Sequence, residues 1–237
     1  MKFKLKHKRR WAFYGLITVS LVGLIIFILK YPVSSFDYYI TREIQKLERG
    51  NFTSFMTFVS LFGNAVTGSL AVIFASLVFF LSRRRREAQY ILAVLITDLL
   101  NLLIKLLIHR PRPTVEDAMI MLKYSQSSFP SGHVVHYVVF FGFLLTVMIV
   151  DKKIPSFFRI FIGVSSAVLI LTISISRLYL GAHWVTDVLG AYLFGFFYLG
   201  VLLTFYLKLP EGGTKLIRKI MPIEHTSNDG TTKEQHR

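Results

Sequence analysis

The stretch Ser176–Asp187, SRLYLGAHWVTD, lies between two long apolar runs, roughly 157–175 and 184–207, and sets an Arg, a His and an Asp between them. The runs decide the fold class. Each supplies close to the ~20 apolar residues that carry a helix across a bilayer, and four more stretches qualify, near 11–29, 58–81, 88–107 and 134–150. Composition agrees: 53% of the 237 residues are hydrophobic and the mean hydropathy is +0.54, outside the range of soluble domains. The pattern predicts an all-α bundle of six transmembrane helices, one domain over 1–220, with a polar tail at 221–237 expected to be disordered.

The formal net charge is +15. The basic residues fall in short clusters between apolar runs, which speaks for membrane topology and against nucleic acid. The clusters are residues 2–10, Arg83–Arg86, Lys152 with Lys153, and Lys208, Lys215, Arg218 and Lys219. With alternating spans all four share one side, which the positive-inside rule makes cytoplasmic. Both termini are then inside a cell-membrane protein. The first apolar run is read as a retained helix, being long and lacking a small-residue cleavage site. Absence of cysteine excludes disulfides and thiolate chemistry.

Between the first two spans, Phe36, Ile40, Ile44 and Leu47 recur at helical spacing, with Ser35 as N-cap and Gly50 as stop. They predict an amphipathic helix, either lying on the outer interface or packed on the bundle. The loop 114–129 is either a lid or a plain connection. Tyr179 and Trp184 are read as interface anchors.

Two other stretches are as polar as the first: KLLIHRPRP (Lys105–Pro113) and SFPSGH (Ser128–His133). The topology was drawn from other residues, yet it puts all three at the outer face. Ionisable groups at membrane depth are costly and mark function or internal pairing. Lys105, Arg112 and Arg177 would gather three cations beside two histidines and one carboxylate, which is stable if an anion such as phosphate belongs among them.

Removing a phosphoryl group calls for cations and N–H donors around its oxygens. Lys105, Arg112 and Arg177 suit that task, Gly132 admits close backbone approach, and Ser131 is either a hydroxyl donor or an N-cap. His183 and Asp187, four residues apart, can share one helical face, so that Asp187 fixes the tautomer and Nε2 of His183 attacks phosphorus. His133 would then protonate the leaving oxygen. Asp98, Asn101 and Lys105 form a polar stripe, with Asp98 expected to pair with a polar group inside the bundle. His136 and His109 are possible neighbours of the site. His109 and Arg110 extend the first motif and either touch a headgroup or lie at the membrane interface.

Lys105 followed by Arg112-Pro113, then Pro130-Ser131-Gly132-His133, then Ser176-Arg177 with His183 and Asp187, resembles the three-part signature of the type 2 phosphatidic acid phosphatase superfamily. The resemblance implies the helical core shared with vanadium haloperoxidases and a metal-independent lipid phosphatase without cofactor. It implies His183 as nucleophile, Asp187 as its partner, His133 as general acid, and Lys105, Arg112, Ser131, Gly132 and Arg177 as phosphate ligands. It further implies a membrane-lipid substrate, phosphatidylglycerophosphate or, alternatively, undecaprenyl diphosphate or phosphatidic acid. A non-catalytic lipid-binding or transport protein is the reading of another class, and the intact His183, Asp187 and His133 set speaks against it.

Overall fold

A computed structural model describes residues 2–208 apart from 48, 49, 115–117 and 121–126. The tail at 221–237 and most of the loop 114–129, read as a lid or a plain connection, lie outside the described residues. Among the described residues nine α-helices run in chain order: α1 (Lys2–Lys30), α2 (Ser35–Gln45), α3 (Gly50–Leu61), α4 (Ala65–Leu81), α5 (Arg85–Leu92), α6 (Val94–Leu107), α7 (Gly132–Val150), α8 (Ser156–Tyr179) and α9 (Val185–Lys208). Among these residues five spans are long and apolar enough to cross a membrane, α5 and α6 counting as one. A sixth results if α3 and α4, bent by 58°, are taken together.

The bend corrects the expectation of one unbroken span over 58–81. The helix breaks at Phe62–Asn64, a Gly-Asn pair of the kind that punctuates helices. Tight packing favours the break as well: a Cβ on Gly63 would lie 2.5–2.9 Å from the His133 side chain.

Helix α7 is the centre of the bundle, buried over most of its length, with α6, α8 and α9 packed against it. Small residues allow α9 to approach closely, since a Cβ on Gly142 would lie 2.6 Å from Leu199 and one on Gly195 2.9 Å from Val138. The Tyr137 hydroxyl donates to the carbonyl of Val59 and so ties α7 to α3. Around this core the outer helices turn Leu, Ile, Val and Phe side chains outward along their whole length. That arrangement is stable where the surrounding solvent is lipid. Peripheral α1 is held on α9 by a Tyr14–Thr204 hydroxyl contact of 3.1 Å.

At one end of the bundle Arg84 forms an ion pair with Asp151, so the Arg83–Arg86 cluster and the α7–α8 turn lie together. The C-terminal end of α6 and the N-terminal end of α7 meet at the opposite end.

Helix α2 packs on α8 and α9 with a polar face: Asp37, Thr41 and Gln45 are buried, whereas Phe36 and Tyr39 are exposed. Its N-cap is Ser34 and not Ser35, in a reciprocal capping box with Asp37. Gly50 does not stop this helix but begins α3. The apolar spacing located the helix correctly, but the side that packs inward carries the polar groups.

Candidate functional site

The turn between α8 and α9 sets the nucleophile candidate in place. Gly181 adopts φ of +64° and packs on the Met119 carbonyl, where a Cβ would come within 2.1 Å. Two residues on, His183 is buried just ahead of α9, and Asp187 occupies the first turn of that helix. Asp187 Oδ2 accepts from the Trp184 backbone N–H at 2.8 Å, closing the helix end as an N3 acid does. His183 Nδ1 lies 3.5 Å from the same oxygen.

Asp187 is held from further sides. The Ser128 hydroxyl donates to Oδ2, and Arg110 Nη1 donates to Oδ1 at 2.5 Å. Arg110 also donates through Nη2 to Asp37 Oδ2 at 2.8 Å and through Nε to the Pro32 carbonyl at 2.8 Å. The other oxygen of Asp37 accepts from the backbone N–H and hydroxyl of Thr186, at 3.0 and 2.8 Å. Arg110 is therefore not a residue at the membrane interface. It is a buried bridge between two carboxylates. Tyr179 and Trp184 are corrected likewise. Both are fully buried, Trp184 donating to the Pro111 carbonyl and the Tyr179 hydroxyl meeting Thr53.

The cations converge on the loop that precedes α7. Lys105 Nζ donates to the Ser127 carbonyl at 2.6 Å. Arg112 Nη1 donates to the Ala182 carbonyl at 2.6 Å and lies 3.4 Å from His183 Nε2. Burial, reinforced by the charges of Arg112, Lys105 and Arg177, holds the His183 imidazole well below its ordinary pKa. The ring is therefore neutral, and its Nε2 lies beside a guanidinium able to hold an anion there.

A cavity of about 590 Å³ opens in front of these groups. Lys105, Arg112, Gly132, His133 and His183 line its polar end, and His136, Asp98, Asn101, Asn64 and Ser69 continue it between α4, α6 and α7. Leu99 and Leu102 line it too, and both are exposed on the lipid-facing side of α6. His133 Nε2 meets Asn64 Oδ1 at 3.0 Å, and since a carboxamide oxygen only accepts, that nitrogen carries the hydrogen.

Not every candidate residue lies in this cavity wall. Arg177 is fully buried behind it, donating to the Ser60 hydroxyl. Ser131 occupies the N-cap position of α7, but its side chain makes no capping hydrogen bond. His109 is exposed and stands apart from the cavity. Asn64, Arg110, Asp37 and Ser60 were not singled out from sequence as parts of the site. The Gly63-Asn64 pair interrupting an apolar run was the available signal for Asn64. The acidic N3 of a capping box was the available signal for Asp37.

Fold and site define a multi-pass helical membrane protein with a cavity lined by cations and histidines at one end of its bundle. The sequence profile of the PAP2 superfamily matches residues 86–211, and the chain belongs to that superfamily. Phosphatidylglycerophosphatase B of Bacillus subtilis (strain 168) is 34% identical over 140 residues, 59% of this chain and 64% of that protein, so the match spans a little under two thirds of the relative's length. The chain is similar in fold to the crystal structure of a transmembrane PAP2 type phosphatidylglycerolphosphate phosphatase from Bacillus subtilis, with a TM-score of 0.70 at 22% identity, covering 84% of this chain and 98% of that one. It is also similar in fold to Aquifex aeolicus LpxE, with a TM-score of 0.53 at 21% identity, covering 72% and 94%.

Proposed function

We propose that the protein is a lipid phosphatase that hydrolyses a terminal phosphate monoester, with phosphatidylglycerophosphate as its substrate. The observation that carries this reading is the neutral His183 with Nε2 3.4 Å from Arg112, at the end of a cavity lined by a second cation and a second histidine. The name of the Bacillus subtilis relative supports the choice of substrate.

In this reading Lys105 and Arg112 hold the phosphate oxygens, with backbone N–H groups at the start of α7 and the charge of Arg177 behind them. His183 Nε2 forms a bond to phosphorus while the bond from phosphorus to the headgroup oxygen breaks, and His133, entering the step as an imidazolium, gives a ring proton to that oxygen and becomes neutral. Water then attacks the phosphohistidine, returns a proton to His133 and releases inorganic phosphate and His183. Asp187 keeps the His183 ring oriented and balances the positive charge it acquires. Exposed Leu99 and Leu102 at the cavity margin suit entry of a lipid from the bilayer.

The Arg84–Asp151 pair supports placing the basic clusters together on the cytoplasmic side, which puts the phosphate pocket at the outer face. The test of function is phosphate release from phosphatidylglycerophosphate, phosphatidic acid and undecaprenyl diphosphate by the purified protein, with His183→Ala as the blank. The monoester of phosphatidylglycerol should be turned over fastest. Equal release by wild type and His183→Ala from every lipid would sink the catalytic reading.

A further inference from the structure

Beyond the two histidines the cavity continues, and it holds a hydrogen-bonded pair of side chains, Asp98 and His136, that the phosphoryl transfer does not use. Asp98 lies two turns before Lys105 on the same face of α6, about 10 Å away along the axis, with Asn101 between them. His136 follows His133 by one turn on α7. His136 Nδ1 lies 3.1 and 3.3 Å from the two carboxylate oxygens of Asp98. The histidine side chain is only 4% exposed and its ring packs on Gly68, whereas the carboxylate is 35% exposed and lines the cavity. The ring is thus a fixed support, and the carboxylate is the side of the pair that a ligand meets.

The direction of the substrate follows from the chemistry already described. His183 attacks from one side of phosphorus, so the leaving oxygen points away from it, towards His133, and the rest of the leaving group continues to the next turn of α7. Asp98 stands there, with its carboxylate able to accept hydrogen bonds and unable to give one.

We infer that Asp98, supported by His136, is a specificity-determining residue that accepts a hydrogen bond from a hydroxyl of the leaving alcohol, so that the pocket selects phosphate monoesters of a polyol headgroup. The inference rests on the phosphatase reading above. A glycerol headgroup offers the required donor on the carbon next to the one bearing the leaving oxygen. A diphosphate offers acceptor oxygens at that place, acceptor facing acceptor, and is disfavoured.

The test compares phosphatidylglycerophosphate with its analogue carrying propane-1,3-diol in place of the headgroup glycerol, which lacks only that hydroxyl, using the full chain in detergent micelles. Wild type should show kcat/KM roughly tenfold higher on the glycerol lipid, the effect of one hydrogen bond to a charged group. In Asp98→Ala the ratio of the two should fall to about one, and the ratio of isoprenyl diphosphate to glycerol lipid turnover should rise. Asp98→Asn keeps one acceptor oxygen and should keep part of the hydroxyl preference. A wild type indifferent to the hydroxyl overturns the inference, and this needs no variant to fold. So does a variant that slows both lipids equally, as a purely structural role requires. Absence of phosphate release from either lipid by wild type would instead overturn the phosphatase reading, and the inference with it.

Discussion

At His183 the environment opposes protonation, and this has a cost when the pH is lowered. The ordinary imidazole pKa is about 6.5, and burial together with Arg112, Lys105 and Arg177 holds the folded value well below it. The unfolded chain therefore binds a proton first. The resulting stability is fully present above about pH 6.5 and is lost as pH falls from there through the folded value. Thermal unfolding in detergent at a series of pH values should show this loss, and His183→Asn should remove its share. On the catalytic side, Gly63→Ala would drive a methyl group into the His133 ring. A misplacement of that order should lower kcat on the order of 100-fold, with substrate binding less affected. Both histidines were legible in the sequence because their types and spacing fall within recognisable motifs. Asn64 was not, since an Asn beside a Gly in an apolar run signals a break in the helix and does not reveal which side chain the broken end will meet.

Among the elements, α2 is where sequence pattern and structure diverge most. Its spacing of Phe36, Ile40, Ile44 and Leu47 gives a true helix. Ile40 and Ile44 of that stripe are half-buried against the core and Phe36 and Leu47 are exposed, while the most deeply buried face is polar, as it is free to be where lipid is the solvent. Asp37 on that face meets Arg110, and Gln45 exchanges hydrogen bonds with Met119, Nε2 donating at 2.8 Å and Oε1 accepting at 3.0 Å. Arg110→Met should cost about 3–5 kcal/mol, because two buried carboxylates lose their shared counter-charge. Chemical denaturation should measure it. Arg110→Lys should recover little, since an ammonium is one point charge and cannot span Asp37, Asp187 and the Pro32 carbonyl as the planar guanidinium does. Ser34→Ala, which removes the cap of α2, should cost about 1 kcal/mol.

For the whole molecule, orientation and metal independence are the properties to test. The chain has no cysteine, so single replacements report cleanly. In sealed cells His109→Cys should react with a membrane-impermeant thiol reagent, whereas Lys153→Cys should react after permeabilisation. The reverse pattern would invert the proposed topology. Among the described residues no group of three or more His, Cys, Asp or Glu is placed to hold a metal ion. Phosphate release should therefore persist in EDTA, and strict loss on chelation would rule out the mechanism proposed here. Five spans, and a sixth if α3 and α4 are taken together, were readable from apolar length, since the bilayer sets that length. The 58° bend was not readable as geometry, because it depends on how closely Gly63 approaches a histidine distant in sequence.

The bridge from Asp37 through Arg110 to Asp187 bears on how this protein can be divided. The segment that carries the family likeness begins at residue 86. Asp37, Ser60 and Asn64 all lie upstream of it, and each contacts a side chain placed in or beside the pocket: Arg110, Arg177 and His133. A graft of residues 86–211 into another membrane scaffold would carry both histidines, the proposed nucleophile His183 among them. It would leave behind one carboxylate balancing Arg110, the hydroxyl held by Arg177 and the amide that fixes the His133 proton. The chemistry is inherited as one block of sequence, but the supports that hold it in register come from the chain ahead of that block.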